Sequence, residues 1–174
     1  MNVSNFMKAI LGTDVLKIYG LSQQSALSIL AETGSDMSKW LNEKHFVSWL
    51  NLCPNNKISG GKLLSSKVRK KSNSAGQAFR MAANSVQRSD HWLGDYFQRM
   101  KSKGGNKYAI VATANKIATI YYKMVRNKVE FIPVDQTKYQ AKRTANKIAY
   151  MERKLADLKG KMMDLTNNRR TLVI

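Results

Sequence analysis

At 174 residues and 19.7 kDa the chain has the length of one ordinary domain with an appendage, enough to bury a substantial core. Its 43% hydrophobic and 24% charged residues exclude a disordered polymer, and its single cysteine, Cys53, excludes an intramolecular disulfide framework. Thirty Lys and Arg against 11 Asp and Glu give a formal charge of +19 and a pI of about 10.2, so the expected partner is a polyanion, nucleic acid first.

The opening MNVSNFMKAILGTD lacks a basic start and a small-residue cleavage pattern, and no stretch approaches the roughly 18 apolar residues of a spanning helix. The expected location is therefore cytoplasmic, with no membrane partner. The turn Ile18-Tyr19-Gly20-Leu21-Ser22 has the form of the hairpin in helix-hairpin-helix modules, where Gly20 and Ser22 meet a phosphate; a plain packing corner between two helices reads equally well. Ser22 to Ala31 predicts a short core helix that stops at Gly34. Asp36 or Ser38 caps a second short segment, and Phe46, Val47, Trp49 and Leu50 mark a third that breaks at Cys53-Pro54. Cys53 itself reads as a small buried thiol.

Asn55 to Ser74 is polar, basic and serine-rich, without helical period, and predicts an exposed loop with a small hairpin across Ile58 to Val68. Three helical patterns follow: Ala75 to Arg88, His91 to Lys103 ending at Gly104-Gly105, and Tyr108 to Arg126. After Pro133 a long basic helix carries Thr144, Ile148, Met151, Leu155, Leu158 and Met162 at alternating four- and three-residue steps. That seam suits a coiled coil or a helix laid back on its own domain. The fold class expected is mainly α: a compact helical domain over residues 13–128, and a basic C-terminal helix and tail over 129–174.

The charge is unevenly spread. No carboxylate stands between Glu43 and Asp90, while Lys44, Lys57, Lys62, Lys67, Arg69, Lys70, Lys71, Arg80 and Arg88 supply nine cations. A second acid-free span, Asp95 to Glu130, holds Arg99, Lys101, Lys103, Lys107, Lys116, Lys123, Arg126 and Lys128. Both spans can face one phosphate backbone, binding by counterion release. The 11 acids show no arrangement for a two-metal site, and one cysteine with His45 and His91 makes no zinc set, so no cofactor is expected in this chain. Ser59, followed by Gly60-Gly61 and flanked by Lys57, Lys62, Lys67 and Arg69, is the hydroxyl that remains for chemistry, although composition alone favours a flexible phosphate-binding loop over a catalytic serine there.

The blocks SALSILAETG (Ser25 to Gly34), FVSWLNLCP (Phe46 to Pro54) and NKISGGKLLSSKVRKKSN, followed by AGQAFRMAANSVQRSDHWLGDYFQRMKSKGGNKYAIVATANKIATIYYKMV, carry a resemblance. From about Thr13 to Val125 they resemble the C-terminal transposase domain of the DEDD-type insertion-sequence transposases, insertion-sequence family one-ten, closest to its eleven-eleven subgroup. The resemblance implies an RNA-guided recombinase whose N-terminal RuvC-like domain holds a divalent metal and whose C-terminal domain supplies a serine nucleophile and binds guide RNA and DNA. Carried onto this chain, the Pro…Ser-Gly motif falls on Pro54 and Ser59-Gly60. It implies Ser59 as nucleophile, with Ser65 and Ser66 as fallbacks, and Lys57, Gly60, Gly61, Lys62, Lys67, Arg69, Lys70, Lys71, Arg80 and Arg88 as the nucleic-acid surface. The metal-binding domain is absent from this sequence, so the expected partners are DNA, a structured guide RNA, a metal-bearing RuvC-like domain or full-length transposase, and further copies of the chain. A noncatalytic nucleic-acid binder that competes with a full-length transposase is the alternative.

Overall fold

The computed structural model describes residues 2–68 and 73–170, apart from the side chains of Leu63 and residues 166–170. It is mainly α-helical, as expected. Within these residues run α1 (Val3–Leu11), α2 (Gln23–Thr33), α3 (Glu43–Trp49), a hairpin of β1 (Lys57–Ser59) and β2 (Lys62–Ser65), α4 (Ser74–Ser85), α5 (Trp92–Asn127) and α6 (Gln136–Arg170). The chain forms two units, Met1–Pro133 and Val134–Ile174.

Local chemistry explains most of the boundaries. Ser22 accepts a hydrogen bond from the Ser25 amide and starts α2, which ends at Gly34. Asp36, not Ser38, caps the 3-10 turn Met37–Lys39. Asn42 caps α3 through the His45 amide, and Asn73 caps α4 through the Gly76 amide. The Glu32 carboxylate also accepts from the Ala75 amide, placing a negative charge at the positive end of α4. The two predicted helices on either side of Gly104-Gly105 are separate helical stretches of α5, which breaks at Gly105, where φ 79° and ψ −178° are not helical.

In the first unit Phe46 is fully buried, with Trp40 at 4.9 Å, Tyr122 at 5.5 Å, Phe79 at 6.3 Å and Tyr121 at 6.4 Å between ring centroids. Small residues on α4, among them Ala75, Ala78, Ala82 and Ala83, are buried and let its neighbours approach closely. α1, which the sequence reading did not assign, contributes Met7 and Leu11 to this core. The segment after α5 returns to the chain start. Thr13 Oγ1 donates to the Val129 carbonyl at 2.8 Å, Lys128 Nζ donates to the Leu11 carbonyl at 2.8 Å, and Glu130 pairs with Lys8 at 3.1 Å and Lys17 at 3.0 Å. Hydrogen bonds from both lysines hold the Glu130 carboxyl below its ordinary pKa. The compact unit thus extends on both sides of the 13–128 segment.

The second unit is α6. Asp135 Oδ1 accepts from the amides of Thr137 and Lys138 at its start, and Asp157 pairs with Lys161 at 2.9 Å. Ile148, Met151, Leu155, Leu158 and Met162 are all exposed along it.

Gly20 has φ 88°, and a Cβ there would stand 2.5 Å from the Ala82 carbonyl and 2.7 Å from a Val86 methyl. Both the positive φ and the contact require glycine. Gly20→Ala is expected to destabilise the chain by about 2–4 kcal/mol, from left-handed strain plus overpacking. Chemical denaturation checks this, and an unchanged midpoint would refute the packing role.

Candidate nucleic-acid interface

The candidate site is built on the exit from α3. Asn51 turns the chain with φ 54°, Leu52 is buried, and the carbonyls of this turn are taken by side chains from elsewhere. Asn73 Nδ2 donates to the Trp49 carbonyl at 3.1 Å, Arg80 Nη2 to the Asn51 carbonyl at 2.8 Å, and Asn115 Nδ2 to the Leu52 carbonyl at 3.0 Å. Asn115 also reaches Cys53 Sγ at 3.6 Å. Cys53 is half-buried, and burial pushes its thiol pKa up. Beyond Pro54 the Asn55 amide donates to the Lys67 carbonyl at 3.2 Å, which closes the base of the hairpin.

The strands pair antiparallel, with Ser59 opposite Lys62, Ile58 opposite Leu63 and Lys57 opposite Ser65; the register shift leaves Leu64 as the extra residue. Gly60 and Gly61 form the two-residue tip, with φ 54° and 73°, as a type I′ loop requires. Among the described residues nothing lies within 4 Å of the position a Cβ would take on either glycine. Ser59 is exposed and ends β1 beside this open tip, with Lys62 directly across the ladder and Lys57 on the same face by strand alternation.

The remaining predicted residues divide. Ser65 Oγ accepts from the Lys67 amide at 3.3 Å, whereas Ser66 is exposed near the hairpin base. Arg88 is exposed. Arg80 is half-buried and bonded to Asn51, and desolvation lowers its pKa, so it serves the architecture of the hairpin's entry. Gly20 makes its close approach to α4, which favours the packing corner of the two readings of that turn, and the exposed Ser22 caps α2. Arg69, Lys70 and Lys71 lie outside the described residues.

The second basic span also divides. Lys123 pairs with Glu43 at 3.6 Å, Arg126 donates to the carbonyls of Met37 and Trp40, and Lys128 donates to Leu11. Arg99, Lys101, Lys103, Lys107 and Lys116 are exposed. Lys107 and Lys67, one from each acid-free span, line a single groove of about 900 Å³ between the hairpin base and α5. Tyr96, Tyr108 and Asn115 line it as well, and sequence reasoning missed all three. An aromatic pair flanking a Gly-Gly kink in a basic span was the available signal. Burial first, and then the neighbouring Tyr108, raise the pKa of Tyr96, while Arg99 sits 5.7 Å from its ring centroid and opposes the rise.

Among the described residues no three or more His, Cys, Asp and Glu side chains group to hold a metal ion. Among the described residues, too, no helix is long and apolar enough to cross a membrane.

Residues 13–98 match the Transposase IS116/IS110/IS902 family. The match covers just under half of the chain, runs from the Thr13 side chain through the hairpin to the first part of α5, and supports a role in DNA transposition. No match to a curated protein is found. The whole hairpin and its anchors at Asn73 and Arg80 fall inside the matched segment, while Asn115 lies beyond it.

Asn115→Ala removes the donor to the Leu52 carbonyl and is expected to cost about 1–3 kcal/mol of stability. Hydrogen exchange at the amides of Asn55 and Lys57 should accelerate with it. Unchanged stability and exchange would show that this bond does not hold the hairpin.

Proposed function

We propose that this chain is the nucleic-acid-binding, serine-bearing domain of a DEDD-type transposase, and that Ser59 is its nucleophile. The observation that carries the reading is Ser59 at the open tip of a Gly-Gly hairpin, facing Lys62 and sharing a face with Lys57, within the segment that matches the transposase family. A phosphodiester is a broad, anionic, tetrahedral group. Two glycines without side chains let it approach the backbone, and the two lysines offset the charge that grows on its non-bridging oxygens.

In this reading Ser59 Oγ attacks phosphorus, a serine-phosphate bond forms as the bond to the leaving sugar oxygen breaks, and the hydroxyl proton passes to a base. Neither lysine suits that role while protonated, so the base belongs to the partner, an RuvC-like acidic domain. DNA and a structured guide RNA are the polyanions the basic surface serves, and the exposed seam of α6 is an assembly surface for another protein chain.

Two measurements test this. Reconstituted with its acidic domain, the chain should yield a covalent protein–DNA adduct that disappears in Ser59→Ala, while DNA affinity stays within about two-fold because a neutral hydroxyl adds little to a phosphate-binding face. Persistence of the adduct in Ser59→Ala moves the role to Ser65 or Ser66, and independence of every serine leaves the noncatalytic binder. Separately, with about six phosphates neutralised, affinity for duplex DNA should fall roughly a thousand-fold between about 50 and 200 mM salt. Binding indifferent to salt would refute the electrostatic basis.

A further inference from the structure

The groove between the hairpin base and α5 has a chemistry distinct from that of the hairpin tip. Its volume of about 900 Å³ falls in the range of small-molecule sites, about 300–1,000 Å³. Among the described residues no carboxylate lines it, Lys67 and Lys107 stand at it, and Leu52 and Val111 supply apolar surface. An occupant complementary to these walls is anionic at one end and flat and apolar at the other.

The aromatic side of the groove is already formed. Tyr108 stacks over Gly104, where a Cβ would lie 2.8 Å from the ring Cγ, so the missing side chain leaves the ring its seat. The ring nonetheless remains 51% exposed. An aromatic side chain held on one side and open on the other, beside two cations, is the arrangement on which a base stacks while its phosphate is neutralised. A base inside a duplex has both faces covered by its neighbours, and only one that has left the stack presents a face to such a ring.

We propose that this groove receives one unstacked nucleotide of the bound nucleic acid, its base against Tyr108 and its phosphate between Lys67 and Lys107. The inference rests on the nucleic-acid-binding role proposed above and adds to it a site with a preference for non-duplex structure. Stacking uses the base and not the sugar, so DNA and RNA strands are both accepted.

The test compares labelled oligothymidylate, oligouridylate and a blunt DNA duplex of equal length by fluorescence anisotropy at one salt concentration. Tyr108→Ala should weaken both single strands about ten-fold and the duplex by less than about two-fold. Tyr108→Trp should restore single-strand affinity to within about two-fold of the original chain, which separates stacking from a folding defect. Lys107→Gln should lower the single-strand salt slope by about 0.7, which Tyr108→Ala should not. Equal losses on duplex and single strands, no loss from Tyr108→Ala, or no rescue by Tyr108→Trp would each overturn the proposal. If the duplex binds with steep salt dependence while single strands ignore Tyr108, this inference alone falls; if none of the three probes binds, the proposed function falls with it.

Discussion

Three backbone carbonyls at the end of α3, those of Trp49, Asn51 and Leu52, accept hydrogen bonds from Asn73, Arg80 and Asn115, and the rest of the site depends on that capture. A helix end leaves carbonyls without intrahelical partners, and in a partly buried turn each unsatisfied group costs about 1–3 kcal/mol. Here the donors come from the start of α4, its body and the middle of α5. They are 24, 29 and 63 residues from their acceptors, so one irregular turn ties three elements together. Asn73 also caps α4, where the chain resumes after the hairpin, so entry and return are fixed by neighbouring bonds. The guanidinium of Arg80 adds a charge-assisted bond, which is why a residue that looks like a phosphate ligand is spent inside the protein.

The same economy sorts the rest of the basic residues. A chain of charge +19 repels itself, and the fold relieves part of that by directing cations at its few acids and at carbonyl oxygens. Lys8 and Lys17 converge on Glu130, Lys123 meets Glu43, and Arg126 and Lys128 satisfy backbone oxygens. These pairs are exposed and individually weak, and their effect is selection more than stability. Lys57 and Lys62 on the hairpin, with Arg99 to Lys107 around the α5 kink, remain exposed. In the function proposed here, counterions held there are released when a phosphate backbone takes their place, so the exposed charge becomes a source of affinity.

The sequence made the local signals legible and the long-range ones opaque. Ser22 and Gly34 bracket α2, Asp36 caps the next turn, and Gly60-Gly61 marks the hairpin tip, because capping and positive-φ turns depend on a few adjacent residues. Gly104-Gly105 reads as a stop, and the helical geometry does break at Gly105, between the two helical stretches of α5. Both stretches bury apolar residues, Leu93 and Phe97 before the break and Ala109 and Ala114 after it. α1 carries its own cap at Asn2 and ends at Gly12, but nine residues form a helix mainly by burying Met7 and Leu11 in a core that sequence spacing does not reveal. The groove was invisible for the same reason: Lys67 and Lys107 are 40 positions apart in sequence and meet only after Asn115 has fixed the turn at Leu52.

A contrast between base and tip follows. Strands of three and four residues do not make a stable hairpin by themselves, and Ile58 and Leu64, 66% and 68% exposed, bury little surface to support one. What stability the hairpin has is borrowed at its base, from the Asn55–Lys67 closure and the three captured carbonyls. Among the described residues, the side-chain anchors of this segment therefore lie at its base, near Leu52, and not at Ser59. A hydroxyl at the end of such an arm is not preorganised by the chain that carries it, and alignment with a phosphate must come from contacts made on binding. In the function proposed here, those contacts also assemble the remaining catalytic groups, so the reactive geometry exists only in the complex.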